Sequence, residues 1–216
     1  MIYVLEEIFK NTKNENSERF NLRIQRSLSW LKKAVMMGDD KDLQFLSLWV
    51  AFNAIHAEDV ESKSQQRSHI RQFLELIYPQ DDGQIIHHLV WDKLYEPIRG
   101  ILDNPYSFQD YWDYRNQVVS QSEWKKRFDS ERKFIDHVFE AKALDELLSL
   151  VLHRMFTIEH QILQGGYSYN SAVNRPLIHQ CCEVLVHLIP TLLELLIQNS
   201  KKWHFLKPHY PVIQVC

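Results

Sequence analysis

Residues 142–163 carry apolar side chains at helical spacing over about six turns, and no other feature of the chain constrains its fold as strongly. Intervals of three and four residues place these side chains on one face of an α-helix. Glu159 falls nearer the opposite face, and Gly165 and Gly166 follow with the backbone freedom that ends a helix. The apolar stripe consists of Leu144, Leu147, Leu148, Val151, Leu152, Met155, Phe156 and Ile162.

Further helices are predicted along the rest of the chain. Five Gly and seven Pro in 216 residues allow few tight turns, and no segment alternates apolar and polar residues for long enough to indicate a sheet. The predicted fold class is therefore all-α. Helices are expected at residues 21–37, with a stripe of Ile24, Leu28, Leu31 and Val35, and at residues 42–58, 68–78, 84–99 and 131–139.

A last helix is expected to begin beside Asn174 or Arg175, with Pro176 in its first turn. Its longest apolar run, residues 184–197, is interrupted by polar residues and is too short to span a bilayer. The run therefore predicts a buried helix. Its buried face is expected to hold Leu177, Cys181, Val184, Leu185, Leu188, Leu192 and Leu196.

A chain of this length is predicted to form a single domain over residues 1–216. Residues 1–20 are interpreted as an N-terminal extension, in which the polar residues 11–18 resemble a linker. Residues 103–130 are interpreted as an insert between helices that is rich in aromatic side chains. These rings could stack on nucleic-acid bases. We favour the other interpretation, in which they seal the insert against the helices beneath.

The charge balance argues against a strongly basic nucleic-acid-binding protein. The formal net charge is −3, and the basic side chains of residues 125–133 are interleaved with acidic ones, as on a solvated helix face. Any contact with RNA must therefore be local.

Three Cys, of which Cys181 and Cys182 are adjacent, do not indicate a disulfide framework. Without a recognisable signal peptide, a cytoplasmic protein is expected. No HExxH or CxxC spacing indicates a metal site.

Several short motifs occur in one order along the chain. They are residues 27–31, 45–54 and 102–106, the Gly165 and Gly166 pair, and residues 173–175 and 208–212. Together they resemble the bacterial HEPN-domain proteins of the Apea-like type, small helical proteins that are common in toxin-antitoxin and phage-defence loci. The resemblance implies an up-and-down helical bundle, a two-fold homodimer that brings two motifs together, a possible antitoxin partner, and no metal or other cofactor.

Active members of that family are metal-independent endoribonucleases. Their motif contains an Arg, then a polar residue that is usually Asn, and a His directly before the Gly-Gly pair; here these positions hold Glu159, His160 and Gln164. Cleavage of RNA through its own 2′-hydroxyl needs a group that moves protons and a cation that stabilises the transition state. Gln164 cannot titrate, and Glu159 repels phosphate. The resemblance therefore implies that the ribonuclease chemistry has been lost.

A second pair of residues could support ribonuclease activity. Arg154 and His160 satisfy a looser spacing of Arg and His, with Asn170 and Arg175 as further groups. On a helix, an offset of six residues leaves two side chains about 240° apart around the axis. The pair could therefore act together only if the helix breaks between them.

Three hypotheses about function follow. The first is a dimeric binding or regulatory module, whose groove favours a basic peptide or protein surface over RNA because of Glu159. The second is an active endoribonuclease toxin that uses Arg154 and His160, and the third is a structural helical scaffold. The groove would be lined by Glu159, His160, Gln164, Tyr167, Tyr169 and Asn170, with Arg175 as a further binding residue.

Overall fold

The structure is a computed structural model that describes residues 2–57 and 69–203 in full and the backbone alone of residues 63–68. These residues form ten α-helices and contain no strand, which confirms the all-α fold. The motif at residues 208–212, Cys216 and residue 58 of the second predicted helix lie outside the described residues. The helices are α1 (Ile2–Thr12), α2 (Glu18–Met36), α3 (Lys41–His56), α4 (Lys63–Ile77), α5 (Ile85–His88), α6 (Tyr95–Asp103), α7 (Gln109–Arg115), α8 (Gln121–Glu140), α9 (Leu144–Leu163) and α10 (Arg175–Gln198).

Backbone contacts divide the chain into two compact units. The first unit contains residues 1–89 and 185–216, and the second contains residues 90–184. Helix α10 belongs to both, since its first turns are part of the second unit and the remainder is part of the first. The interpretation of residues 1–216 as one domain stays a prediction.

In the first unit, α2 and α3 pack side by side as an antiparallel pair. Near one end, Gln44 donates from Nε2 to the Ala34 carbonyl at 3.2 Å. At the other end, buried Arg23 donates from Nη1 to the Ala57 carbonyl at 2.8 Å. A cation at this position suits the negative end of the helix dipole of α3. Two polar side chains therefore fix the register of the pair.

The predicted apolar stripe of α2 is confirmed except at its end. Ile24, Leu28 and Leu31 are buried, whereas Val35 is 50% exposed. Val35 lies in the last turn of α2. The prediction for Val35 is wrong because helical periodicity identifies a face but not how far along that face a neighbouring helix extends.

The prediction of a linker at residues 11–18 is wrong. Helix α1 continues to Thr12, and a 3-10 turn follows at Lys13–Glu15. Leu5 and Phe9 lie one helical turn apart and are both buried. The spacing of Leu5 and Phe9 indicates an amphipathic helix. The prediction missed this helix because the residues that follow are polar.

The prediction of one helix over residues 84–99 is also wrong. Helix α5 is about one turn long, a π-helical turn follows at Leu89–Lys93, and α6 begins only at Tyr95. Pro97 lies in the first turn of α6 and has no backbone N–H. A continuous helix would therefore leave the Lys93 carbonyl without its usual partner, and the break before Pro97 avoids this cost.

Helix α8 begins at Gln121, well before the predicted start at residue 131. Its N-terminus is a capping box, in which Ser120 and Glu123 satisfy each other's backbone N–H groups. The Ser120 N–H donates to Glu123 Oε2 at 2.9 Å, and the Glu123 N–H donates to Ser120 Oγ at 3.2 Å. The Ser-x-x-Glu spacing was therefore the signal for the missing turns.

The aromatic side chains of residues 103–130 pack against one another in the second unit. Trp112 donates from Nε1 to the Tyr106 carbonyl at 2.8 Å, and Gln161 of α9 donates to the same carbonyl at 3.1 Å. These contacts attach the segment to α9 and support the sealing interpretation over base stacking. The rings in mutual contact are those of Tyr106, Phe108, Tyr111, Trp112, Tyr114, Trp124 and Phe128.

Helix α10 begins at Arg175 with Pro176 in its first turn, as predicted. All seven residues of its predicted buried face are buried, and the prediction of a buried helix is confirmed. Among the described helices, α10 as a whole is long and apolar enough to cross a membrane by length and composition alone. Within the structure, 67% of its apolar window is buried, as in the core helix of a globular unit.

His56 is a buried imidazole at the end of α3. Its Nδ1–H donates to the Phe52 carbonyl at 2.9 Å, because a carbonyl can only accept. The ring also packs on Phe73, and its Nε2 has no hydrogen-bond partner among the described residues. Burial lowers the pKa of His56 to about 4, and the charges of Arg23 and His69 add to this effect, while the bond to Phe52 opposes it.

We expect His56 to make the protein less stable in mild acid. The unfolded chain takes up a proton below its ordinary pKa of 6.5, whereas the folded protein does so only near pH 4. The contribution of His56 to the free energy of unfolding is therefore fully present above pH 6.5, and the free energy of unfolding falls by about 3 kcal/mol as the pH drops to 4. Urea denaturation across this range should show a weaker pH dependence for His56→Leu. His137→Gln, at an exposed position, should retain the wild-type dependence, and an unchanged slope in His56→Leu would contradict the expectation.

Candidate functional site

Helix α9 presents the motif segment and ends at a defined turn. The Gly166 N–H donates to the Gln161 carbonyl at 2.8 Å, and the Gly165 N–H donates to the Ile162 carbonyl at 3.1 Å. Gly165 has a φ of +72°, in the left-handed region that side chains with a Cβ disfavour. These bonds form the Schellman ending of a helix. The prediction that the Gly-Gly pair ends the helix is confirmed.

The three positions matched to the catalytic motif lie at this end of α9. Glu159 and His160 are half-buried, and Gln164 is exposed at the C-cap. The Gln164 N–H donates to the His160 carbonyl at 3.0 Å, so these two residues lie one turn apart on the same side. Glu159 is rotated by about 100° from His160. Residues 159–164 thus offer a carboxylate, an imidazole and amides, and they include no Lys or Arg.

Arg154 is the only Lys or Arg within α9, and its side chain is buried. Nη2 donates to Glu131 Oε1 of α8 at 3.1 Å. The guanidinium also lies over the Phe108 ring at 4.5 Å and the Phe128 ring at 5.7 Å, both measured to the ring centroid. Nε and Nη1 have no hydrogen-bond partner among the described residues. Burial lowers the pKa of Arg154, and the charge of Glu131 acts in the opposite direction.

The proposed pair of Arg154 and His160 is therefore separated by a continuous helix. Helix α9 runs without a break between them, so the side chains stay about 240° apart around the axis and about 9 Å apart along it. Arg154 is directed into the protein towards Glu131, whereas His160 is half-buried. Joint action on one phosphate would require Arg154 to leave its partner, and this geometry disfavours the pair.

The segment after the Gly-Gly turn is held by its own hydrogen bonds. Arg175 donates from Nε to the Ser171 carbonyl at 3.2 Å. Tyr167 is half-buried, while Tyr169 and Asn170 are exposed, and Asn170 adopts a left-handed φ of +54°. The structure thus places Tyr167, Tyr169 and Asn170 on one short loop beside the end of α9, and Arg175 at the first residue of α10, where it is bonded back to that loop.

Exposed apolar side chains flank this loop. Leu163 is 60% exposed, Tyr169 is 69% exposed and Val173 is 60% exposed. Single exposed apolar residues are common on protein surfaces. Here three such side chains lie within eleven residues, on both sides of the turn.

Several arginines of the second unit are matched by acidic neighbours. Arg127 lies 3.1 Å from Asp110, and Arg132 lies 3.6 Å from Asp103. Such pairs reduce the positive potential that would attract a phosphate backbone. Within residues 2–57 and 69–203, no group of three or more His, Cys, Asp or Glu side chains is placed to hold a metal ion.

The partners of Arg154 could not be predicted from the sequence. Glu131 is 23 residues away, and no short-range pattern connects it to the motif helix. One signal was present, because Arg154 lies between Val151 and Met155 of the apolar stripe. A cation at the edge of a buried face needs a carboxylate from a neighbouring element.

The ion pair between Arg154 and Glu131 should contribute to stability. We expect Glu131→Ala to lower the free energy of unfolding by about 1–3 kcal/mol, because it leaves a buried guanidinium without its carboxylate. Asp129→Ala removes an exposed carboxylate from the same helix and should change stability by less than about 0.5 kcal/mol. Urea denaturation measures the free energy of unfolding of both variants and of the unaltered protein. If Glu131→Ala is as stable as the unaltered protein, the ion pair contributes nothing.

Comparison of the chain with protein-family models, with curated proteins and with solved structures found no match. The functional interpretation of the motif segment therefore depends on its own residues and their contacts.

Proposed function

We propose that this protein is a HEPN-type helical module of the toxin-antitoxin or phage-defence class, which binds partners and does not cleave RNA. The observation that carries the proposal is the position of Arg154. This residue supplies the only guanidinium of α9, and it is buried against Glu131 and two phenyl rings. A cation in that position is not available to a phosphate.

The chemistry of the motif end supports the same conclusion. Transfer to the 2′-hydroxyl needs proton movement and stabilisation of negative charge on the phosphate oxygens. His160 could move a proton, but Glu159 adds a negative charge beside it, and Gln164 offers only a neutral amide. A dianionic transition state next to a carboxylate is disfavoured by charge.

The surface around the turn suits a protein partner. Leu163, Tyr169 and Val173 supply exposed apolar area, and half-buried Glu159 adds a negative charge. Aromatic side chains contribute strongly to binding at protein interfaces. We propose that a second copy of the chain, or an antitoxin with a basic surface, docks here.

The setting of this module is proposed to be the cytoplasm. Cys181 and Cys182 are buried thiols that form no disulfide among the described residues, and burial raises the pKa of Cys181 well above its ordinary value. Neutral thiols of this kind suit a reducing compartment. The proposed module needs no cofactor.

The absence of catalysis can be tested with a mixed RNA pool in EDTA. We expect no cleavage by the unaltered protein, and cleavage by a variant that carries Glu159→Arg, His160→Asn and Gln164→His. Cleavage by the unaltered protein that disappears in His160→Ala would overturn the proposal and identify a ribonuclease that uses Arg154 and His160. Circular dichroism of each variant should match the unaltered protein, so that lost activity is not lost folding.

The proposed homodimer can be tested by sedimentation. We expect the full chain to sediment as a dimer, and Tyr169→Ser combined with Val173→Ser to shift it towards the monomer, because these changes remove apolar area from the contact. Val118→Ser replaces a similarly exposed Val in the same unit and should leave the dimer intact. A monomeric unaltered protein would exclude self-association, and a dimer that resists the double change would place the interface elsewhere.

A further inference from the structure

A groove runs between α1 and α2 in the first unit. Its volume is about 560 Å³. The two helices are antiparallel neighbours, since Glu6 of α1 pairs with Lys32 near the end of α2. The groove is lined by Glu6, Phe9, Lys10, Lys13, Gln25, Leu28, Ser29 and Lys32.

The floor of the groove is apolar. Phe9 and Leu28 are buried side chains from the two opposing helices. The methylene groups of the surrounding lysines add to this surface, because lysine stems pack on apolar groups while their ammonium groups stay in water. The Ser29 hydroxyl is engaged with the Arg26 carbonyl at 2.9 Å, so it is already satisfied within the helix.

An ion pair closes one end of the groove. Lys32 Nζ lies 3.2 Å from Glu6 Oε1 and 3.3 Å from Glu6 Oε2. Lys10 is likewise paired with Glu7 at 2.8 Å. These two cations are therefore balanced by carboxylates of α1.

The opposite end of the groove holds an unbalanced positive charge. The side chains of Lys13 and Gln25 make no hydrogen bond or ion pair with the residues that the structure describes. The backbone at Lys13 is fixed, because its carbonyl accepts from Asn21 Nδ2 at 2.9 Å. The ammonium group of Lys13, on a positioned turn, and the amide of Gln25, on α2, thus lie beside an apolar floor.

We propose that this groove binds a small amphiphilic carboxylate, with its apolar chain on Phe9 and Leu28 and its head group at Lys13 and Gln25. One unbalanced cation matches a monovalent anion. The axial distance from Glu6 of α1 to Lys13, at the start of the following 3-10 turn, is about 10 Å, which is close to the length of an extended medium-chain fatty acid such as octanoate. The site belongs to the first unit and does not depend on the function proposed for the motif end.

Isothermal titration with octanoate, 1-octanol and acetate separates the contributions of chain and head group. Octanoate should bind more tightly than either of the others, because only octanoate uses both the floor and the cation. Hexanoate should bind more weakly than octanoate, by up to about fourfold for each methylene lost from the floor. Raising the salt concentration should weaken the binding of octanoate and leave the binding of 1-octanol unchanged.

Charge variants locate the head group. Lys13→Gln should lower the affinity for octanoate by about threefold to fivefold, as expected for the loss of one solvent-accessible ion pair. Gln25→Glu should weaken it further by placing a carboxylate beside the head group. Lys33→Gln removes an exposed Lys of α2 that does not line the groove, and it should leave the affinity unchanged. Matched thermal denaturation shows whether each variant is folded.

Several results would overturn the assignment. They are no detectable octanoate binding, equal affinities for octanoate and 1-octanol, or equal losses in Lys13→Gln and Lys33→Gln. Failure here leaves the RNA and sedimentation experiments untouched, since their variants lie in the other unit.

Discussion

The guanidinium of Arg154 is the constraint on which the arrangement of the second unit depends. It joins α9 to α8 through Glu131, and it packs on Phe108 and Phe128 of the aromatic segment. A buried cation is unfavourable unless a carboxylate and polarisable groups replace its lost water. The aromatic segment is therefore part of the environment that makes this charge tolerable, and its position follows from that requirement.

The ion pair of Arg154 and the motif residues lie on different parts of α9. The buried part of the helix places its one cation in an ion pair, whereas the C-terminal end carries half-buried Glu159 and His160 and exposed Gln164. A side chain held by an ion pair and two rings cannot also be free to follow a substrate. The end of the helix carries a carboxylate and hydrogen-bonding groups, and residues 159–164 include no Lys or Arg that could stabilise charge on a phosphodiester.

Much of the fold could be predicted from local patterns, and the exceptions have physical causes. The stripe of α9 and the buried face of α10 extend over many turns, so periodicity alone identifies them. Helix α1 depends on only two buried residues, Leu5 and Phe9, and the break before Pro97 depends on one missing N–H. At the candidate site, Glu159 and Gln164 can be identified by their distance from the Gly-Gly turn. The burial of Arg154 could not be predicted, because it arises from residues that are distant in sequence and meet only in the folded chain.

The two units differ in how many of their cations are paired with carboxylates. In the second unit, Arg99, Arg127, Arg132 and Arg154 all face carboxylates, and these pairs reduce the positive potential that would attract a polyanion. Binding of nucleic acid gains most of its affinity from cations that are free to displace counterions. The groove of the first unit instead retains the unpaired ammonium of Lys13 beside an apolar floor. One charge cannot hold a polyanion, but next to buried apolar area it is enough to orient a small monovalent one.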